Sequence, residues 1–208
     1  YIFRGPAQES DANFTFQQFV VVGVAPSDTL AVNFGTWNSF HSGSLQDAYG
    51  TWYESDLYIS TTATIGKVKP GLLWTSYTSP TDAYKAVHEL AASVSFDDSA
   101  NKVPVSPKIV LAFEVAGGQA DAGEHKGIYL ETGIKPTFKP AGSPVTVGVP
   151  LKLGFSLKDY YEGANGDSKF GYFDIGANVS VPLASLTNGS WELHGGVDVF
   201  TFGDMLKD

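Results

Sequence analysis

The sequence contains no cysteine and a single methionine among its 208 residues. Without thiols the chain can form neither a disulfide framework nor a zinc–thiolate site, and it has no cysteine nucleophile. No run of eighteen or more apolar residues occurs, so no membrane-spanning α-helix is predicted. No signal peptide precedes Tyr1, and we therefore expect a processed or trimmed form of the chain.

Positive charge and catalytic motifs are also scarce. The 13 Lys and Arg residues face 22 Asp and Glu residues, which argues against nucleic acid as a partner because phosphate binding needs clustered cations. The histidines (His41, His88, His125 and His194) have no metal-ligand spacing, and no Gly-x-Ser-x-Gly elbow is present. We predict no enzyme, no metal and no cofactor.

Period-two alternation of apolar and small or polar residues runs through the whole chain. Between Val145 and Leu157 one parity is Val, Leu or Phe throughout, whereas the other holds Thr, Gly, Pro, Lys and Ser. On a pleated strand these parities form opposite faces. The pattern predicts one all-β domain over 1–208. The predicted strands are 1–4, 13–25, 29–39, 55–65, 71–78, 86–96, 107–115, 126–139, 145–158, 170–182 and 190–202.

Alternation alone fits both a membrane barrel and a soluble sandwich or lipocalin-like binder. The composition of the polar parity favours the barrel, since it is mostly Gly, Ala, Ser, Thr and Tyr instead of the Lys and Glu of a water-exposed face. The apolar parity carries no central charge, as a lipid-facing surface requires. Aromatic residues near strand ends suggest interfacial girdles. These are Trp37, Phe40, Trp52, Tyr53, Trp74, Tyr77, Tyr160, Tyr161, Phe170, Trp191, Phe200 and Phe202.

The connections predict an up-and-down antiparallel barrel with compact turns such as 140–143 at one end. Longer polar loops are predicted at the other end, at 5–12, 41–50, 117–125 and 159–169. Because the predicted strand count is odd, we expect a transmembrane β-barrel of about twelve strands whose last strand lies beyond Asp208. An open gap beside the first strand would then be visible.

Charged residues of the polar parity are predicted to line a lumen. They are Glu89, Lys108, Glu114, Glu131, Lys135, Lys152, Asp174 and Asp198. A tight turn at 140–143 would place Glu131 opposite Lys152 and Leu130 opposite Leu153. Together with Glu192, the acidic members outnumber the basic ones, which suggests cation preference. Eight acidic residues assigned to loops could bind calcium or bridge lipopolysaccharide cations, or could simply be solvated. They are Asp47, Glu54, Asp56, Asp121, Glu124, Asp159, Glu162 and Asp167.

Two terminal motifs carry a resemblance to a known family. Tyr1-Ile2-Phe3-Arg4-Gly5 resembles the opening of TorF-type porins, and the segment 199–207 resembles the strand and loop before their closing strand. The resemblance implies a bacterial outer-membrane barrel in contact with lipid and lipopolysaccharide, with transport inferred from the fold. It supplies no functional residues.

The resulting expectation is a porin-like channel in the bacterial outer membrane through which ions or small polar solutes diffuse. A plugged structural barrel with envelope protein partners and a soluble β-barrel binding protein are the alternatives. The width of the pore decides between the first two, because eight strands give a filled interior and 16–18 give an open one.

Overall fold

The alternating pattern forms strands between Thr15 and Phe202 in a computed structural model that describes residues 4, 13–163, 166–183 and 190–207. Helix α1 (Ser44–Tyr49) and a 3-10 turn (Asp204–Leu206) are short. Within the described residues, no helix has the length and apolarity to cross a membrane. The strands are β1 Thr15–Ser27, β2 Leu30–His41, β3 Trp52–Ala63, β4 Val68–Thr78, β5 Val87–Phe96, β6 Lys108–Gly117, β7 Ile128–Ile134, β8 Thr137–Phe138, β9 Thr146–Gly148, β10 Leu151–Lys158, β11 Glu162–Gly163, β12 Gly166–Asp167, β13 Phe170–Leu183 and β14 Trp191–Phe202.

One 12-stranded antiparallel sheet contains every strand except the small β11–β12 hairpin. Strands β7 and β8 are two parts of one extended run that is interrupted at Pro136, and Pro150 interrupts β9–β10 in the same way. Proline causes these breaks because it has no N–H to donate to the ladder. Each run pairs with the runs before and after it in the chain, which gives an up-and-down order.

The predicted strands between 13 and 202 are confirmed, with ends that differ from the structure by at most three residues. The predicted strand 1–4 lies outside the described residues except for Arg4, which occupies a bend. Among the described strands, β1 pairs only with β2 and β14 only with β13, so each has one edge without a described strand partner. Closure into a barrel and a further strand beyond Asp208 remain predictions.

The two faces of the sheet have the orientation that the alternation predicts. One face, which we call the apolar face, exposes aliphatic side chains such as Leu57, Leu72, Ile109 and Val197, the last of these to 69%. On the opposite face, the polar face, Ser39, Tyr129 and Asp174 are fully buried. No Leu, Ile, Phe, Met or Trp is buried anywhere in the described part of the chain. The sheet is therefore inverted relative to a water-soluble β protein, which buries its aliphatic face.

The predicted register of β7 against β10 is wrong by two residues. Lys152 lies opposite Gly133 and Glu131 opposite Gly154, so the expected Glu131–Lys152 partnership does not form. Leu130 lies opposite Phe155 instead of Leu153. The cause is the connection between β8 and β9, which runs over 139–145 instead of turning tightly at 140–143. A shift of two residues keeps every side chain on its face, so the face assignment is correct.

The connections differ between the two ends of the sheet. Loops 42–51, 79–86, 118–127 and 159–169 define what we call the long-loop end. Connections 28–29 and 64–67 at the opposite end are short. The connection 97–107 is longer, and part of it extends the β6–β7 pairing, since the Lys135 N–H donates to the Val105 carbonyl at 2.7 Å. Register shifts at Ser39/Phe40, His88/Glu89 and Gly154/Phe155 lie at the long-loop end. Bulges of this kind redirect side chains near functional sites.

The core is a cluster of small and aromatic residues on the polar face near the long-loop end. Its buried members are Ala91, Ala112, Tyr129, Tyr160, Tyr161 and Tyr172. Glycine makes room for the rings: a Cβ on Gly154 would lie 2.3 Å from Tyr172 Cε1 and 3.0 Å from the Tyr129 hydroxyl oxygen. Both tyrosines are buried and hydrogen-bonded to each other, so neither can move aside cheaply.

Gly154→Ala is therefore expected to lower the free energy of unfolding by about 1–3 kcal/mol, the cost of overpacking a filled site. Gly195→Ala is the matched control, since a Cβ there meets no atom within 4 Å. The control is expected to change stability by at most about 0.5 kcal/mol. Urea unfolding measures the stability of both variants, and equal effects would contradict the packing argument.

Candidate functional site

Arg4 makes long-range contacts on the polar face near the long-loop end. Its guanidinium forms a two-pronged ion pair with Glu89 of β5, in which Nη2 donates to Oε1 at 2.7 Å. Nη1 also donates to the Tyr160 hydroxyl at 3.0 Å, and the guanidinium lies 4.5 Å from the centre of the Tyr129 ring. The Arg4 side chain is 13% exposed and that of Glu89 is 3% exposed. In such surroundings each charge depends on the other, because a buried charge without a partner is costly.

A tyrosine network extends the Arg4 site. The Tyr129 and Tyr172 hydroxyl oxygens lie 2.9 Å apart, and Glu131 Oε2 lies 3.0 and 2.9 Å from them, so two hydroxyl protons are shared among three hydrogen-bond contacts. From the loop after β10, the Tyr161 hydroxyl donates to the Arg4 carbonyl at 2.7 Å. Burial raises the pKa of both Tyr160 and Tyr161, so these phenols stay protonated and can donate. We call Arg4, Glu89, Tyr129, Tyr160, Tyr161, Tyr172 and Glu131 the Arg–Tyr cluster.

The eight charged residues predicted to line a lumen all belong to the polar face, but they do not form one group. Glu89 and Glu131 belong to the Arg–Tyr cluster, and the buried Glu114 accepts hydrogen bonds from two backbone N–H groups, those of Ala120 and Gly127. Lys152 pairs with the fully buried Asp174 at 2.9 Å. The remaining three are exposed and take no part in the cluster. They are Lys108, Lys135 and Asp198.

The interpretation of the aromatic residues as interfacial girdles is contradicted for some of them and stays a prediction for the others. Trp52, Trp74 and Trp191 are exposed, and Trp74 and Trp191 lie on the apolar face as a girdle requires. Tyr160 and Tyr161 are buried at 3% and 0% exposure, so they cannot contact a surrounding medium. The sequence shows their position near a strand end but does not show that loop 159–169 folds back over the polar face.

Ser39 and His41 of β2 form a hydrogen bond that no sequence motif predicts. Ser39 Oγ and His41 Nε2 are 2.6 Å apart, and the two residues share one face of the strand. Ser39 is completely buried, which leaves its hydroxyl closed to a substrate. The pair thus does not provide an accessible nucleophile.

Glu54 and Asp56, which the sequence placed among solvated loop residues, lie instead on β3 and are buried at 9% and 7% exposure. The loop assignment of Glu54 is wrong because β3 begins at Trp52, and Asp56 already lay within the predicted strand 55–65 although it was grouped with the loop acids. Among the described residues, no group of three or more His, Asp or Glu side chains is arranged to hold a metal ion.

Two loops at the long-loop end are tied together by His125 and Glu162. His125 Nδ1 lies 2.7 Å from Glu162 Oε1, and the His125 backbone N–H donates to Glu162 Oε2 at 2.7 Å. The hydrogen bond that the His125 ring donates to Glu162 raises the pKa of His125, and the backbone and ring hydrogen bonds from His125 lower the pKa of Glu162. Asp121 strengthens the junction by accepting the Glu162 N–H at 2.7 Å.

The His125–Glu162 contact is expected to be strongest at mildly acidic pH. The raised histidine pKa contributes stability below about pH 6.5 that is lost as pH rises through the folded-state value. The lowered glutamate pKa contributes stability above about pH 4.3 that is lost as pH falls through its folded-state value. NMR titration of the His125 ring should give a pKa above the ordinary value, and Glu162→Gln should lower it. Glu124→Gln, which removes a charge with a smaller effect on His125, should lower it less, and the reverse order would contradict the assignment.

No protein-family model, curated protein or solved structure shows significant similarity to this chain. The resemblance of the terminal motifs to TorF-type porins therefore stays a prediction. The function has to be inferred from the two faces of the sheet and from the Arg–Tyr cluster.

Proposed function

We propose that the chain forms a β-barrel in a bacterial outer membrane and acts as a narrow, porin-like channel for ions or small polar solutes. The observation that carries the proposal is the inverted burial of the sheet, in which aliphatic side chains point outward and ionic and hydroxyl groups are buried on the other face. This is the arrangement expected when lipid surrounds the sheet and a polar lumen lies inside it.

The size of the apolar face supports a lipid environment over water. Exposed Val, Leu, Ile and Phe side chains occur on every long run of the sheet, from Val22 on β1 to Val199 on β14. A soluble monomer rarely exposes a contiguous apolar patch beyond a few hundred Å². A soluble sandwich or lipocalin-like binder would also bury these side chains, which weighs against that alternative.

Among the described strands, β1 and β14 each have one edge that no other strand pairs with, and this supports closure of the sheet in the proposed barrel. An open edge in hydrocarbon leaves backbone N–H and C=O groups unsatisfied, at several kcal/mol each. We propose that the two edges meet directly or through further strands, in keeping with the expected barrel of about twelve strands. Such a barrel is wider than the filled eight-stranded type and narrower than an open 16-stranded porin.

The Arg–Tyr cluster would form the constriction of this channel. It gathers side chains of β5, β7 and β13 and of loop 159–169 around one guanidinium on the polar face. Towards the other end, the residues on this face are smaller and include Gly71, Ser93 and Gly133. The same cluster favours the second candidate function, a plugged barrel with a structural or docking role, if it fills the lumen completely.

Planar-bilayer recording of the full chain tests the channel. Heat-dependent mobility in gel electrophoresis first shows that the protein is folded in detergent. Stepwise currents from folded protein are the expected result, with cations preferred over anions because acidic residues exceed basic ones on the polar face. Folded, inserted protein that passes no current would reject the channel and favour the plugged barrel.

Removal of the Arg4–Glu89 pair is expected to raise the conductance several-fold. Arg4→Ala alone would leave Glu89 as an unpaired buried charge, at a cost of about 3–5 kcal/mol. The double variant Arg4→Ala/Glu89→Gln removes both charges and shortens the side chain in the constriction. Lys158→Ala, at an exposed position of the long-loop end, is the control and should conduct like the unaltered protein. Equal conductance of the double variant and the control would place the constriction elsewhere.

A further inference from the structure

Three lysines gather on the polar face, between the Arg–Tyr cluster and the end of the sheet opposite the long-loop end. The strand pairings place Lys108 of β6 and Lys152 of β10 on either side of Gly133, at one level of the sheet. Lys135 follows Gly133 by two residues and belongs to the same face. From the usual spacings of a sheet, the Cα atoms of the three lysines lie within about 10 Å of one another.

The side chains around this group lean over two glycines. A Cβ on Gly133 would lie 3.3 Å from Lys152 Cγ, and a Cβ on Gly148 would lie 2.7 Å from Lys135 Cε. Asn178 approaches from β13, and its Oδ1 would lie 2.5 Å from the same Cβ on Gly148. Polar side chains of different strands therefore converge above a floor that has no side chains of its own. We call Lys108, Lys135, Lys152 and Asn178 the lysine site.

Two of the three ammonium groups have no acidic partner. Lys152 Nζ pairs with Asp174 at 2.9 Å. Across the residues that the structure describes, the side chains of Lys108 and Lys135 form neither an ion pair nor a hydrogen bond, and both are exposed. Like charges that share one face repel each other, and an anion between them relieves the repulsion.

The nearest carboxylates do not supply this counter-charge. Glu131, the nearest acidic residue along β7, is hydrogen-bonded to the Tyr129 and Tyr172 hydroxyls. Asp198 of β14 covers Gly176 with its Oδ1 but forms no ion pair with any lysine of the described ranges. The positive charge of the lysine site is therefore left for a ligand from outside the chain.

We propose that the lysine site binds the phosphate group of a small solute, with inorganic phosphate as the simplest case. Ammonium groups bind phosphate oxygens through charge-assisted hydrogen bonds, and the amide of Asn178 can donate another. A phosphate dianion matches the combined charge of Lys108 and Lys135, the two lysines without an acidic partner. Lysine and arginine side chains are also the groups that line pores selective for phosphate and other anions.

The site deepens the proposed function, because the route of the solute to the lysines rests on the channel. Glu131 of the Arg–Tyr cluster precedes Lys135 by four residues on one extended run, which separates them by about 13 Å along the strand. A solute that passes the acidic constriction would thus meet a basic zone next. Bound phosphate cancels the lysine charge and should strengthen the cation preference that the acidic excess predicts.

Thermal unfolding of the full chain tests binding without any need for conduction. Sodium phosphate is compared with sodium chloride at equal ionic strength and pH. A higher unfolding midpoint in phosphate is expected for the unaltered protein, since a ligand that binds the folded state stabilises it. Lys108→Gln/Lys135→Gln should lose most of this rise, because the loss of charged donors weakens binding about tenfold or more. Lys102→Gln/Lys139→Gln removes the same charge from exposed connections and should keep the rise.

Asp198→Asn provides a test in the opposite direction. It removes a carboxylate from the same face and should enlarge the rise in phosphate, whereas a smaller rise would contradict the placement of the ligand. Equal midpoints of the unaltered protein in the two salts would overturn the site. A rise that persists undiminished in Lys108→Gln/Lys135→Gln would overturn it too, because phosphate then acts only through its general exclusion from protein surfaces.

Bilayer recordings separate the site from the channel. Phosphate in the bath should raise the selectivity for K⁺ over Cl⁻ of the unaltered protein and leave that of Lys108→Gln/Lys135→Gln unchanged. Phosphate-dependent stabilisation of a protein that never conducts would keep the site and reject the channel. Stepwise currents without any effect of phosphate on selectivity or stability would keep the channel and reject the site.

Discussion

The structure depends on one constraint: ionic and hydroxyl groups that are buried on the polar face of the sheet need protein partners, because burial has removed them from water. The Arg4–Glu89 ion pair meets this requirement for two charges at once and brings the Tyr160 hydroxyl into the same network. Lys152 and Asp174 do the same further along the polar face. Each unpartnered buried group would cost about 1–3 kcal/mol, so these contacts rather than aliphatic packing determine how the side chains on this face are arranged.

Glycine and the bulges allow that network to form. A tyrosine ring from a neighbouring segment covers each of Gly35, Gly154 and Gly171, at distances that leave no room for a Cβ. The bulge at His88/Glu89 brings Glu89 opposite Glu114, with both carboxylates on the buried face. Small residues and local irregularities therefore replace the interlocking aliphatic side chains that hold a soluble sheet together.

The strands and the orientation of their faces could be predicted from the sequence because alternation is a local property of the chain. The register of β7 against β10 could not be predicted, since it depends on the conformation of residues 139–145. The Pro-Ala-Gly-Ser sequence at 140–143 indicates a tighter turn than the connection that forms. The same local alternation predicts that the eight charged residues lie on the polar face.

The contact partners of the charged residues on the polar face could not be predicted from the sequence. Arg4 is 85 positions from Glu89 and 156 from Tyr160, and no local pattern relates residues so far apart. Tyr160 and Tyr161 were interpreted as interfacial, because the folding of their loop over the polar face is a tertiary event. Glu54 and Asp56 resembled solvated loop acids, and only the position of β3 between two neighbouring strands shows that they are buried.

The long separation between Arg4 and its partners also has a kinetic meaning. The guanidinium can be held only after β5, β7 and the loop that follows β10 have come together. Joining segments so far apart in the sequence closes a long loop, which costs conformational entropy. Arg4 precedes all of these partners in the sequence, yet its contacts can form only after the partners have come together. The order in which the chain is synthesised and the order in which it becomes fixed are thus reversed at this residue.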